Sequence, residues 1–222
     1  MWRRAICAAL AVSLVAAAAA AADPLDPKTK IVAADQAAAV AALLTRADLG
    51  SGWAGGEITP TSLKAPRCPA LQPSFHDLTL TGHAEASFSL ASAGWQIDSD
   101  VTILKTAQQV ATQYKRLLQP SLGTCIRYDI EKSTGATSSI HLGSTRRLKF
   151  PKFAGATVSA LYRVPITVGS GKGASVVYDD TMFLSKSRTQ FWLNFVAPSS
   201  DEVTLELREQ EIAKTLLKRV RV

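Results

Sequence analysis

The chain has 222 residues, 47% hydrophobic and 19% charged, with a formal net charge of +7. That balance excludes a disordered chain. The length suits one domain that buries roughly 70% of its unfolded surface, and three cysteines are too few for a disulfide-scaffold protein.

Trp2-Arg3-Arg4 is a short basic start, residues 5–22 are an uncharged run of small and aliphatic side chains, and the run closes on Ala20-Ala21-Ala22. Basic start, apolar run and small-residue triplet predict a secretory signal peptide over 1–22. Ordinary export then places the protein in the cell envelope or outside the cell, and no longer integral to a membrane after cleavage. Cys7 lies too early to be a lipobox cysteine, so a lipoprotein is not expected. The remaining Cys68 and Cys125 allow one pairing, which an oxidising compartment favours over two buried thiols. No C-x-x-C occurs, and His76, His83 and His141 lack ligand spacing, so neither a metal nor another cofactor is expected.

Residues 23–30, with two prolines and alternating charge, read as a flexible lead. Ala33, Ala37, Val40, Ala41 and Leu44 recur at helical spacing over 31–49. Residues 50–83 are rich in Gly and Pro and read as a long loop that a bridge at Cys68 would anchor. Ala84, Ala86, Phe88 and Leu90 share one strand face, and Trp95, Ile97, Val101 and Ile103 share one face of the next, opposite Gln96, Asp98, Asp100 and Thr102. Ala93-Gly94 between them predicts a hairpin. The period changes to that of a helix over 105–119, which Pro120 ends, and a strand is expected over 124–131. Further strands are expected near 139–149, 157–168, 174–184 and 188–197, with Pro165 at an edge or bulge. Ser199 and Glu202 suggest a capping box for a last helix striped by Leu205, Ile212, Ala213, Leu216 and Val220. The expected fold is one α+β domain over 31–222, an antiparallel sheet of about six strands flanked by three main helices.

Several residue groups invite chemistry. The Gly169-Ser170-Gly171-Lys172-Gly173 loop lacks the Gly and Ser/Thr of a phosphate cradle and reads as a hairpin. His76-Asp77 are adjacent in a loop, and no G-x-S-x-G elbow occurs, so no catalytic residue is assigned. Asp98 and Asp100 read as the wet side of a strand. Asp179 and Asp180 interrupt an apolar strand and need a partner, for which Arg188 across the next turn is expected as a structural ion pair. Arg146, Arg147, Lys149 and Lys152, mixed with Phe150 and Phe153, form the densest basic stretch, suited to an anionic surface or an acidic protein. Nucleic acid is not expected as a partner of an exported chain. Trp53, Trp95 and Trp192 either line a ligand pocket or pack the core.

The frame as a whole looks familiar. It runs from Ala42-Leu43-Leu44-Thr45-Arg46-Ala47-Asp48-Leu49-Gly50 and Trp53 through the Pro-rich loop at Cys68, Leu80-Thr81-Gly82, Ser99-Asp100-Val101, Lys105-Thr106-Ala107 and Cys125, to Asp179-Asp180, Arg188 and a terminal amphipathic helix. This resembles exported actinobacterial-type proteins related to the extracellular sensor domain of PknH-like serine/threonine kinases, over most of 30–222. The resemblance implies a Mog1/PsbP-like sheet with flanking helices, pairing of Cys68 with Cys125, and an extracytoplasmic binding or sensing role. Two departures stand out: a single possible disulfide where the family carries two, and Ser187-Arg188 where its members often have Gly before the arginine. The expectation is a non-catalytic module for a hydrophobic or anionic envelope ligand. The alternatives are a protein that docks an envelope complex through 146–152 and a cryptic hydrolase.

Overall fold

The computed structural model describes residues 23–61, 63–134 and 139–220; the expected signal peptide lies outside them. Strands β1 (Lys28–Thr29), β2 (Ala54–Ile58), β3 (Thr79–Leu90), β4 (Trp95–Leu104), β5 (Ile140–Leu142), β6 (Arg146–Leu148), β7 (Val158–Val168), β8 (Ser175–Lys186) and β9 (Thr189–Pro198) form one sheet. Its order is β1-β3-β4-β9-β8-β7-β5, with β2 also on β3 and β6 also on β7. Each outer edge is thus two short strands laid end to end, which leaves no long open edge for another chain to extend. Helices are α1 (Ala33–Ala42), the single-turn α2 (Arg46–Leu49), α3 (Ala107–Leu117), α4 (Leu122–Thr134) and α5 (Glu202–Arg219). The α+β expectation holds, but among the described residues there are nine strands rather than about six and four helices of more than one turn rather than three: β1 and β2 form in stretches read as irregular, 139–149 splits into β5 and β6, and α4 replaces an expected strand.

The β3–β4 hairpin forms where Ala93-Gly94 predicts it, with Gly94 at φ +67°. Pairing of β3 with β4, β4 with β9 and β9 with β8 is antiparallel throughout, so directly opposed residues share a face. One face carries Ala84, Val101, Phe191 and Leu184 in one row, and Ala86, Leu193 and Met182 in another; α1 and α5 cover it. Gly82 lets α1 lie close, since a Cβ there would come 2.4 Å from the Asp35 carbonyl oxygen. The other face is covered by α3, α4 and the 63–75 segment, around Phe75, Tyr114, Leu117, Ile126 and Phe183.

Four local expectations are corrected. Residues 124–131 are helical: alternation of Ile126, Tyr128 and Ile130 mimics a strand, but Leu122, Cys125, Ile126 and Ile130 are the buried set, which is helical spacing. The 31–49 helix breaks at Leu43, because Thr45 and Asp48 form a capping box that starts a new turn. The lead 23–30 contains β1, and its amides at Lys28 and Lys30 donate to the Leu78 and Leu80 carbonyls at 3.0 and 2.8 Å. The 199–202 capping box does not form. Asp201 accepts instead from the Trp95 indole at 2.8 Å, and Glu202 from Arg163 at 2.5 Å.

The stretch 50–83 is not one loop as expected, since β2 occupies Ala54–Ile58 and β3 begins at Thr79, both paired into the sheet; the 59–78 connection that remains is tied down at several points. Cys68 and Cys125 form a disulfide with Cα atoms 5.4 Å apart, which joins the loop to α4. Arg67 pairs with Asp23 and Asp26, the Ala65 amide donates to Asp26 at 2.9 Å, and the Phe75 amide donates to the Leu25 carbonyl at 2.7 Å. The two halves of the wall on this side of the sheet therefore share one covalent anchor.

On the opposite face Arg163 is wholly buried. It donates to both Asp180 oxygens at 2.7–3.0 Å and lies 4.3 Å from the Tyr178 ring, so it ties β7 and β8 to the start of α5. This corrects the expected partner of the strand acids: Arg188 pairs with Asp35 at 2.6 Å and clamps α1 to the β8–β9 turn. Register explains the difference, since Arg163 stands directly opposite Asp180. Glu209 of α5 is also fully buried beside Asp180. Burial, and then the Asp180 carboxylate, pushes the Glu209 carboxyl up to about 10, so it is protonated at neutral pH, which spares the interior a second unpaired carboxylate.

Reduction of the bridge, or Cys68→Ser, is expected to lower unfolding stability by up to about 4 kcal/mol, read as denaturant midpoints with and without reductant; identical midpoints would deny the bridge its role. Because the Glu209 pKa is raised on folding, the native state holds a proton that the unfolded chain releases above about pH 4.5. Stability therefore declines as pH rises from there toward 10, and Glu209→Gln should flatten that decline in melts between about pH 6 and 9. Arg163→Met, by contrast, strands buried carboxylates and should cost about 3–5 kcal/mol.

Candidate functional site

The face under α3 and α4 is not fully covered. Along one transverse row the register sets Glu85 opposite Asp100, Asp100 opposite Trp192, and Trp192 opposite Phe183. The next row sets Ser87 opposite Asp98, Asp98 opposite Asn194, and Asn194 opposite Thr181. Trp192 rests on buried Phe183, with centroids 5.0 Å apart, and is 36% exposed in the middle of the sheet. Two adjoining clefts meet at Trp192 and Asn194. One, about 330 Å³, is walled by Ile58, Thr61, Glu85, Asp98 and Asp100; the other, about 300 Å³, by Pro66, Cys125, Asp129, Ile130, Asp179 and Thr181.

The floor is acidic. Asp98 accepts from Ser87 Oγ at 2.6 Å and from Gln96 Nε2 at 3.0 Å, and Asp100 Oδ1 accepts from Thr102 Oγ1 at 3.0 Å. Asp179 is buried; burial pushes its carboxyl up to about 6, against the lowering effect of the Asn194 amide that donates to it at 2.7 Å. His83 is buried beneath this floor, with Nε2 3.1 Å from Asp100 Oδ2 and 3.3 Å from Glu85 Oε1. Burial works against the imidazolium, but the hydrogen bond and charge of Asp100, helped by Glu85, outweigh it and hold His83 above the ordinary histidine range. His83, Glu85 and Asp100 bring one donor atom each to within 4.8 Å of the others, an arrangement that could hold a metal ion.

The structure separates the three tryptophans. Trp53 and Trp95 pack edge to face, 6.4 Å apart, in the core beneath α1 and α5, and only Trp192 reaches a cleft. Arg146, Arg147, Lys149 and Lys152 are exposed on and just beyond edge strand β6, away from the Trp192 cleft; Arg147 lies 5.8 Å from the Tyr162 ring. Phe150 and Phe153 turn inward against each other at 5.3 Å. Residues 169–173 form the β7–β8 connection, as the hairpin reading has it. His76 Nδ1 is 2.7 Å from Ser74 Oγ, but Asp77 is held by Arg116 at 2.5 and 2.9 Å, which depresses its carboxyl to about 2. His141 is exposed on β5.

Sequence reasoning missed Glu85, Asn194 and the meeting of His83 with Asp100. The alternation of His83-Glu85-Ser87 against Asp98-Asp100-Thr102 carried the signal, but the register that opposes them, and the bareness of that face, come only from tertiary packing.

No family model and no curated protein matches this chain.

Since Asp179 has its pKa raised on folding, stability should fall as pH rises from about 4 to 6 and then level off. Asp179→Asn should remove that step and gain at most about 3 kcal/mol near neutral pH, by thermal melts across that range.

Proposed function

We propose that this chain is an exported, non-catalytic binding or sensor-like module, and that its ligand seat is the cleft at Trp192. The observation that carries this reading is a half-exposed tryptophan in the middle of a sheet face, ringed by Glu85, Asp98, Asp100 and Asp179. An indole face and surrounding carboxylates attract the same thing, a cation, through the ring quadrupole and through charge. The lining therefore favours an organic ligand that carries ammonium or guanidinium groups over the hydrophobic or anionic envelope ligand expected with the export signal and the family resemblance.

Export is supported by the basic and apolar start of the sequence and by the disulfide, which persists in oxidising compartments. The disulfide and the α+β arrangement also support kinship with PknH-like sensor domains. Among the described residues no helix is long and apolar enough to cross a membrane. A hydrolase finds less support: the Ser74–His76 pair is on a loop, and the neighbouring acid Asp77 serves Arg116 rather than His76. A second reading, docking through the basic edge, rests on the exposure of Arg146, Arg147, Lys149 and Lys152, none of which pairs with a carboxylate among the described residues.

Spermidine, a soluble polyamine, is the probe. It should quench tryptophan emission saturably near pH 7.5, and bind more weakly near pH 5 as Asp179 is protonated. Trp192→Ala should weaken binding by about tenfold, equivalent to about 1.4 kcal/mol. Binding unchanged in Trp192→Ala, or no binding by calorimetry, would overturn the cleft as a cation seat. Salt-sensitive binding to anionic vesicles, lost on Arg146→Glu with Arg147→Glu, would favour the basic edge.

A further inference from the structure

We propose that His83, Glu85 and Asp100 form a three-ligand site for a divalent transition-metal ion, zinc first among them, set in the wall of the 330 Å³ cleft. The geometry is that of a metal site before the ion. Two donors each about 2.05 Å from a tetrahedral zinc stand about 3.3 Å apart. Nε2 of His83 stands 3.1 Å from Asp100 Oδ2 and 3.3 Å from Glu85 Oε1. Two edges of the donor triangle already have the length that coordination requires, and the third, at most 4.8 Å, closes with a small rotation of one carboxylate.

Chemistry and placement agree with this. Two carboxylates converge on a single imidazole nitrogen, which can offer them one proton or one lone pair. A dication satisfies all three groups at once, and one imidazole with two carboxylates suits zinc better than magnesium or calcium, which take oxygen ligands alone. The His83 side chain is only 7% exposed, so it stands buried behind Glu85 and Asp100 and is not a surface histidine. The donors sit on paired strands, two residues apart on β3 and directly opposite on β4, so the sheet fixes their spacing without a loop having to order. Thr102 holds Asp100 Oδ1, which leaves Oδ2 turned to the imidazole, as outer hydrogen bonds orient metal ligands. Thr61 donates its amide and hydroxyl to Glu85 Oε1 itself, each at 2.8 Å, so this oxygen gives up one of those bonds when it ligates an ion. Glu85 and Asp100 also line the open cleft, so an ion has a path in and room for a further ligand. The site shares Glu85 and Asp100 with the proposed cation seat, but Trp192 is not one of its ligands, so the two can be tested apart.

The test is calorimetric titration of metal-free protein with zinc chloride, supported by the visible absorption of cobalt(II), whose tetrahedral complexes absorb far more strongly than the hydrated ion. One zinc should bind per chain with a Kd on the order of 1 µM or tighter. Asp100→Asn and Glu85→Gln, both at partly exposed positions, should each weaken it about tenfold to a hundredfold with far-UV circular dichroism unchanged. His83→Gln should abolish the cobalt spectrum. His76→Ala, His141→Ala and Trp192→Ala should leave zinc binding intact, and the last still weakens spermidine binding about tenfold, so the metal site and the cation seat fail separately. No binding at about 100 µM zinc overturns the proposal. So does binding that survives Asp100→Asn and Glu85→Gln, or that is lost with His76 or His141, since these mark adventitious surface coordination.

Discussion

Four antiparallel strands in strict register, β3, β4, β9 and β8, carry the consequences of everything else in this molecule. A strand sends neighbouring side chains to opposite faces, so one register choice sorts eight rows of residues at once. Here it sends Ala84, Ala86, Phe88, Ile97, Val101, Phe191, Leu193 and Phe195 to one face. It sends Glu85, Asp98, Asp100, Trp192 and Asn194 to the other. A slip by a single residue would put the acids under α1 and α5 and the apolar set into water. The core and the acidic cleft are therefore two outcomes of the same constraint.

The two faces are covered by different means. On the apolar face α1 and α5 pack as amphipathic helices. Ion pairs fix their position, through buried Arg163 between buried Asp180 and the more exposed Glu202, and through the partly exposed Arg188 on Asp35. The buried Arg163–Asp180 pair contributes position more than net stability, because the cost of stripping water from each ion offsets most of the attraction. The protonated Glu209 beside Asp180 follows the same logic: one guanidinium cannot neutralise a second buried carboxylate, so that group keeps its proton. On the other face a long irregular segment does part of a helix's work. Backbone hydrogen bonds to the N-terminal lead and a covalent bridge to α4 hold it. Its cover stops short of Trp192, and the cleft is the part of the sheet it leaves bare.

The cleft concentrates unlike groups that a protein interior ordinarily keeps apart: a tryptophan face, several carboxylates and a buried histidine. Keeping carboxylates near one another is unfavourable without a compensating cation. In the protein alone, hydrogen bonds from Ser87, Thr61, Thr102 and Asn194 supply part of that compensation, and His83, which Asp100 and Glu85 hold above the ordinary histidine range, supplies a share of positive charge. A surface with an unmet demand for positive charge is a surface disposed to bind it.

By itself the sequence determined the local matters: the β3–β4 hairpin from Ala93-Gly94, the alternating strands, α3 and its end before Pro120, the single possible cysteine pairing, and the apolar stripe of α5. These depend on neighbours a few residues apart, where periodicity and turn chemistry act directly. It misread 122–134, since a short apolar run satisfies period two and helical spacing equally, and burial against the Cys68 loop chose between them. It gave Asp180 the wrong partner, because cross-strand opposition to Arg163 comes from the β7–β8 register and not from nearness in the chain. The candidate site belongs wholly to this second kind. His83 meets Asp100 across two strands, and Trp192 meets Asp100 from a third that lies about ninety residues further along, so only the tertiary pairing of distant segments places them together.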